Sequence, residues 1–327
     1  MDRRSVVTLG AFALAGLPLP AFAADDATQP ATETIPLWPG VPPGGEGVNP
    51  TPYTVERSPT PSEYHDREMA GIAHPVLTAF RPRRSDGSAV LILPGGGYSY
   101  EAYDLEGIEP ALRLNEFGVT AFVLLYRLPG EGWHDRANVP LQDAQRAMRV
   151  IRGRAGEYGI DSARLGVLGF SAGGHLAASL GERAGAVVYG PVDANDAYDA
   201  RPSFTALLYP VITMLPPFGH EASCEKLLGA KASAPLRAAY SVERAVSANT
   251  PPCFLAAAAD DPDVPVDNTL EMFASLRAAK VASEMHIFEV GGHGFAIRGA
   301  AGKPAAAWPD LLQRWAASRG YFRGAQL

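Results

Sequence analysis

The sequence predicts an α/β fold: one doubly wound, mostly parallel sheet with helices on both faces. Three observations predict it. From His74 onward, short apolar runs alternate with stretches of helical spacing, and repeated strand–helix units of this kind build parallel sheets. The chain has 327 residues, 47% of them hydrophobic, enough for one large domain with a sizeable core. The pentapeptide Gly169-Phe170-Ser171-Ala172-Gly173 stands between an apolar run, Leu165–Leu168, and a stretch of helix formers, Gly174–Leu180. That is the strand-to-helix context of a G-x-S-x-G turn.

The elements follow in order. His74–Phe80 and Ala89–Leu93 read as strands separated by the turn Arg83–Gly87. Glu106–Phe117 has helical spacing at Ile108, Leu112 and Leu114, and Gly118 stops it. Val119–Tyr126 reads as a buried strand. Leu141–Tyr158 reads as a helix with an apolar stripe through Ala144, Ala147, Met148 and Ile151. Arg164–Gly169, Thr205–Tyr209, Cys253–Ala259 and Glu284–Phe288 read as strands. Asn268–Lys280 and Trp308–Arg319 read as helices. Val192–Leu228 reads as an insertion near the sixth strand.

The N-terminal 67 residues read differently. Arg3-Arg4, an apolar run from Val6 to Leu17 and the small-x-small site Ala21-Phe22-Ala23 make residues 1–23 a bacterial secretory leader of twin-arginine type. The run is too short, and too broken by Gly10, Gly16 and Pro18, for a membrane anchor. The expected location is the periplasm or outside the cell. Residues 24–67 are rich in Pro and Gly and read as an extended arm over the core, leaving 68–327 as the catalytic domain. The formal charge of −7 becomes −8 without the leader, which carries two Arg and one Asp, and disfavours nucleic-acid binding. The two cysteines, Cys224 and Cys253, are too few for a disulfide framework. No Cys/His cluster has zinc spacing, and the reading calls for no metal or cofactor.

Three further signals surround the serine. A serine needs a positioned base to become a nucleophile. His293, in Gly291-Gly292-His293-Gly294-Phe295 after the last strand, supplies the candidate base. Asp260, Asp261 and Asp263 compete for the acid, and D-x-x-V-P spacing selects Asp261 to orient the histidine. Pro94-Gly95-Gly96-Gly97-Tyr98 follows the strand ending at Leu93. Its glycines let the backbone approach a developing oxyanion, so Gly96, Gly97 and the Ala172 N–H are the candidate oxyanion donors. The chain order Ser, acid, His is the α/β-hydrolase order. A phosphate loop is disfavoured, since neither G-x-G-x-x-G nor a following Lys-Ser/Thr is present.

With these motifs, Ile35-Pro36-Leu37-Trp38-Pro39-Gly40, Tyr126-Arg127-Leu128-Pro129, Tyr209-Pro210-Val211-Ile212 and Leu227-Leu228-Gly229 complete a resemblance that spans Ile35 to about Tyr321. The chain resembles the secreted α/β-hydrolases grouped as carbohydrate acetyl esterases, which include acetylxylan-esterase-like, xylanase-like and feruloyl-esterase-like proteins. The resemblance implies removal of acetyl groups from sugars or xylan-derived oligosaccharides, with a small-molecule or oligosaccharide ester as the partner. A membrane partner is not expected, and the oligomeric state stays open. Tyr98, Tyr100, Tyr126 and Trp133 follow strands where the site should open, and Tyr98 is the candidate substrate-binding residue, narrowing the acyl side of the cleft. His175 reads as packing, and His220 is open between a structural role and reaching the site. A general short-chain, aryl or feruloyl esterase is the nearest alternative. A peptidase is disfavoured by the lack of an N-terminal propeller, and a non-catalytic module by the intact Ser171, Asp261 and His293.

Overall fold

The computed structural model of the protein describes residues 32–323, so the residues read as a leader lie outside it. The described residues open with β1 (Thr32–Pro36), β2 (Tyr53–Glu56), β3 (Arg67–Ala70), β4 (Val76–Phe80), β5 (Ala89–Leu93) and β6 (Glu101–Ala102). A π-helical turn over Tyr103–Ile108 leads into α1 (Glu109–Glu116). Then come β7 (Thr120–Leu125), α2 (Val139–Gly153), α3 (Ala155–Tyr158), β8 (Leu165–Phe170) and α4 (Ser171–Arg183). The remainder is β9 (Thr205–Leu208), α5 (Glu221–Leu228), α6 (Ala234–Ala239), β10 (Cys253–Ala258), α7 (Asp267–Ala278), β11 (Ser283–Phe288) and α8 (Trp308–Ser318).

Eight strands form the main sheet in the order β1-β4-β7-β5-β8-β9-β10-β11. The pairs β1–β4 and β4–β7 are antiparallel, and the other five are parallel. Strands β5, β8, β9 and β10 are buried along their whole length, as parallel strands covered on both faces must be. One core lies between the sheet and α2, α4 and α7, through Met148, Leu180 and Leu276. The other lies under α1 and α8, through Leu114, Leu312 and Trp315. The strands read on either side of Arg83–Gly87 are not sheet neighbours, because β7 inserts between β4 and β5.

The N-terminal stretch departs from an arm lying over the core. Residues 32–36 are an edge strand of the main sheet, since β4 offers an unpaired edge that an extended Pro-flanked segment can cover. β2 pairs with β3, and β3 with β6, in a small second sheet. Trp38 locks the stretch down. Its indole N–H donates to Asp143 Oδ1 at 2.7 Å, and Asp143 pairs with Arg127 at 2.7 Å with both charged side chains fully buried. The Arg127 guanidinium also donates to the Pro43 carbonyl at 2.8 Å.

Two helices differ in their ends. The helix read from Glu106 begins three residues earlier as a wide π turn, because Pro110 has no N–H to extend an α-helical ladder back to Glu106. The helix read from Leu141 starts at Val139 and breaks at Arg154. The stretch read as an insertion contains β9, a central strand. Its first part is pinned to α2 by Arg146, which bonds both Asp193 and Asp196. Cys224 and Cys253 are both free and buried.

Candidate active site

Ser171 stands where β8 meets α4, at φ 49°. A non-glycine residue in that conformation is strained, and surrounding packing must hold it. The glycines on either side allow the packing. A Cβ on Gly173 would lie 2.1 Å from the Leu93 carbonyl, and one on Gly169 would lie 2.2 Å from the Gly173 carbonyl. Only Gly-x-Ser-x-Gly therefore fits this strand–helix approach.

The histidine arrives from the loop after β11. Asp260 Oδ1 accepts the Gly291 and Gly292 N–H groups at 2.8 and 2.7 Å, which shapes that loop. These two bonds hold the Asp260 carboxyl below its usual range. Asp261, the next residue, accepts the Asp263 and Val264 N–H groups on Oδ1, each at 2.9 Å. Its Oδ2 faces His293 Nδ1 at 2.7 Å, and His293 Nε2 faces Ser171 Oγ at 2.8 Å. A carboxylate only accepts, so Nδ1–H donates to Asp261 and Nε2 is left to accept the Ser171 proton. The structure thus joins Ser171, His293 and Asp261 in one hydrogen-bonded chain. Asp260 and Asp263 stay outside it, although Asp263 lines the cleft.

Gly96 and Gly97 border the cleft beside Ser171. Gly96 has φ 128°, and a Cβ there would meet the Tyr100 carbonyl at 2.2 Å. Among the described residues, the Gly96 and Gly97 N–H groups donate to no protein acceptor. The Ala172 N–H lies in the first turn of α4, where a helix has no internal partner for it. The Tyr126 hydroxyl braces the loop by donating to the Pro94 carbonyl at 2.7 Å.

Tyr98 does not face the cleft. Its backbone lies at φ 59°, its ring is 1% exposed, and its hydroxyl sits 2.8 Å from His175 Nδ1. The left-handed backbone turns the ring behind α4, where a buried Tyr must find a polar partner. The expectation that Tyr98 binds substrate is therefore corrected: its hydroxyl is already taken. His175 completes the arrangement through Nε2, 2.8 Å from the Tyr240 carbonyl, and burial pushes its pKa down to about 4. It is a packing residue, as read. Trp133 is likewise buried, with its indole N–H on the Leu128 carbonyl.

Tyr100, Arg57 and His220 line the cleft instead, which holds about 450 Å³. His220 Nδ1 lies 2.8 Å from Ser223 Oγ. Sequence reasoning misses Arg57, because it directly follows β2 of the small sheet rather than a strand of the main one, and Glu106, because the helical spacing marks it only as a helix start. Among the described residues no group of three His, Cys, Asp or Glu side chains is placed to hold a metal ion.

A mostly parallel sheet, a strained serine at a strand–helix turn, and an acid and a histidine after later strands define an α/β hydrolase. The chain belongs to the BD-FAE family, whose model matches residues 81–276. It is 33% identical over 223 residues to an acetylxylan esterase of Xylanibacter ruminicola, covering 67% of this chain and 43% of that protein. It is 36% identical over 212 residues to an endo-1,4-beta-xylanase B of Butyrivibrio fibrisolvens, covering 64% of this chain and 32% of that one. The chain thus spans less than half the length of these relatives. Among solved structures it is similar to the acetyl ester-xyloside bifunctional hydrolase of Caldicellulosiruptor lactoaceticus. The TM-score is 0.72 at 32% identity, over 90% of this chain and 99% of that one. A carboxylesterase of Lactobacillus plantarum shares the fold, with a TM-score of 0.63 at 24% identity over 84% of this chain and 99% of that one.

Proposed function

We propose that this protein is a serine carboxylic-ester hydrolase that removes acetyl and other short acyl groups from carbohydrates such as xylan-derived oligosaccharides. The observation that carries the reading is the chain from Asp261 through His293 to Ser171, at 2.7 and 2.8 Å, beside free Gly96 and Gly97 donors.

The steps follow from the atoms. His293 Nε2 takes the Ser171 proton as Oγ attacks the ester carbonyl. The Gly96, Gly97 and Ala172 N–H groups stabilise the oxyanion. Asp261 holds the Nδ1–H tautomer and stabilises the imidazolium. His293 then returns its proton to the sugar oxygen, and the deacetylated alcohol leaves. Water, activated by the same imidazole, releases the acid from the acyl-enzyme. The names of the similar proteins support a carbohydrate ester as substrate. The paired arginines and the small-x-small site support export by the twin-arginine route to the periplasm or beyond, with residues 1–23 removed. No helix among the described residues is long and apolar enough to cross a membrane.

The test is a substrate panel: acetylated xylan, acetylated monosaccharides, nitrophenyl acetate, a feruloyl ester and a peptide anilide, each with Ser171→Ala. Ser171-dependent release of acetate from xylan is the expected result. Cleavage of the anilide alone would overturn the proposal.

A further inference from the structure

One buried carboxylate beside the reacting groups has no part in these steps. Glu106 lies in the π turn before α1, 3% exposed, and borders the cleft near Ser171. Its Oε2 accepts the Gly95 N–H at 2.7 Å, and its Oε1 accepts the Tyr209 hydroxyl at 2.9 Å. A Cβ built on Gly95 would lie 2.7 Å from both Glu106 Oε2 and Ser171 Cβ, so the carboxylate is close behind the nucleophile.

Tyr209 carries the contact on to the histidine. Its ring packs edge-on to the His293 imidazole, with centroids 5.1 Å apart, and against Phe295 at 4.6 Å. Its backbone sits at φ 36°, pinned by the Tyr209 N–H on the Ala256 carbonyl at 2.7 Å. A bulky residue held in the left-handed region at a site is a strained, aimed one. One carboxylate therefore ties together the oxyanion loop and the wall against which the histidine rests.

We infer that Glu106 is a positioning residue for ester hydrolysis, fixing the oxyanion loop through Gly95 and the His293 ring through Tyr209, while its charge favours the imidazolium formed in turnover. The inference rests on the Ser171–His293 reading above. With the Gly95 N–H committed to Glu106, the loop is left to offer Gly96 and Gly97 to the substrate. The charged groups facing His293 are Asp261, Glu106 and Asp263, all favouring its protonated form, while burial and the His293 charge push His220, across the cleft, toward its neutral form. Burial leaves the Glu106 carboxyl raised above its usual range, although His293, the two hydrogen bonds and Arg57 each act to lower it.

Glu106→Gln is isosteric and can still accept from Gly95 and meet the Tyr209 hydroxyl, but it carries no charge. Glu106→Ala removes the bonds as well. Both are assayed on nitrophenyl acetate and acetylated xylo-oligosaccharide across pH, with the fold checked by circular dichroism and melting. The expected Glu106→Gln enzyme is folded, loses about tenfold in kcat with KM little changed, and has the acid limb of kcat/KM moved roughly half a pH unit lower, because a nearby negative charge has gone. Tyr209→Phe, which keeps the ring and Glu106, should lower kcat with the limb in place. A folded Glu106→Gln enzyme whose acid limb does not move overturns the inference, whatever its kcat. Wild-type ester hydrolysis that survives Ser171→Ala would instead overturn the reading beneath it.

Discussion

At His293 two opposing effects meet. Burial lowers its pKa, but the hydrogen bond and charge of Asp261, with Glu106 and Asp263 behind it, leave it raised. As the proposed base, His293 must be neutral to take the Ser171 proton, so activity should rise with pH through a midpoint above the ordinary histidine value of about 6.5. A kcat/KM profile checks this; in Asp261→Asn the midpoint should fall, and kcat should drop on the order of 10⁴-fold. Asp260→Asn, which keeps an acceptor for Gly291 and Gly292, should lose far less. Asp260→Ala frees those amides and should cost roughly tenfold or more in kcat by displacing the imidazole. Steady-state kinetics of the three variants would rank them, and an Asp260→Asn loss as large as that of Asp261→Asn would contradict this assignment. Ser171 and His293 were legible in the sequence because glycines mark the backbone on both sides of each. Asp261 was legible from its spacing to Val264 and Pro265. Tyr98 was misread because its direction depends on a backbone angle of φ 59° that no local pattern announces. Glu106 was missed because it reaches the site from a π turn that the helical spacing of Ile108 and Leu112 concealed.

The element that depends most on long-range contacts is the N-terminal strand with its Trp38 anchor. Arg127 and Asp143 are fully buried and bonded to each other, and Trp38, Pro43 and Gln142 add further hydrogen bonds to the pair. Removing one member strands the other charge in the core, so Asp143→Ala should destabilise the fold by about 3–5 kcal/mol. The paired change Arg127→Met with Asp143→Leu should cost much less, because it leaves no buried charge. Urea unfolding of the three proteins measures this. No local pattern in the sequence marks Trp38 as a donor to Asp143, since the two are 105 residues apart. The oxyanion loop makes a second element-scale case. Gly96→Ala would press a methyl group onto the Tyr100 carbonyl at a φ that side chains avoid. Displacing a donor in this way should lower kcat by roughly 10²–10³-fold. Stability, read by melting, should change far less than kcat.

Across the whole molecule, strand–helix alternation was enough to predict the parallel part of the sheet, because each unit carries its own apolar period. The order in which strands lie side by side was not readable. Strand β7 enters between β4 and β5, and β1 closes the edge, through pairings between residues far apart in the chain. The sheet brings Ser171, Asp261 and His293 to one end from strands β8, β10 and β11, where parallel sheets collect their sites. The cleft there holds about 450 Å³ and is bordered by charged and polar groups such as Arg57, His220 and Asp263, which suits a sugar ester better than a long acyl chain. Rates on nitrophenyl esters should therefore fall from acetyl to butyryl to octanoyl. The most direct test of the central claim is acetate released from acetylated xylo-oligosaccharide by the wild type and by Ser171→Ala, with the Ser171 adduct of an organophosphonate probe located by mass spectrometry. Release that disappears in Ser171→Ala, with the adduct on Ser171, is the predicted result. Release that persists in Ser171→Ala, or an adduct on another serine, would contradict the account.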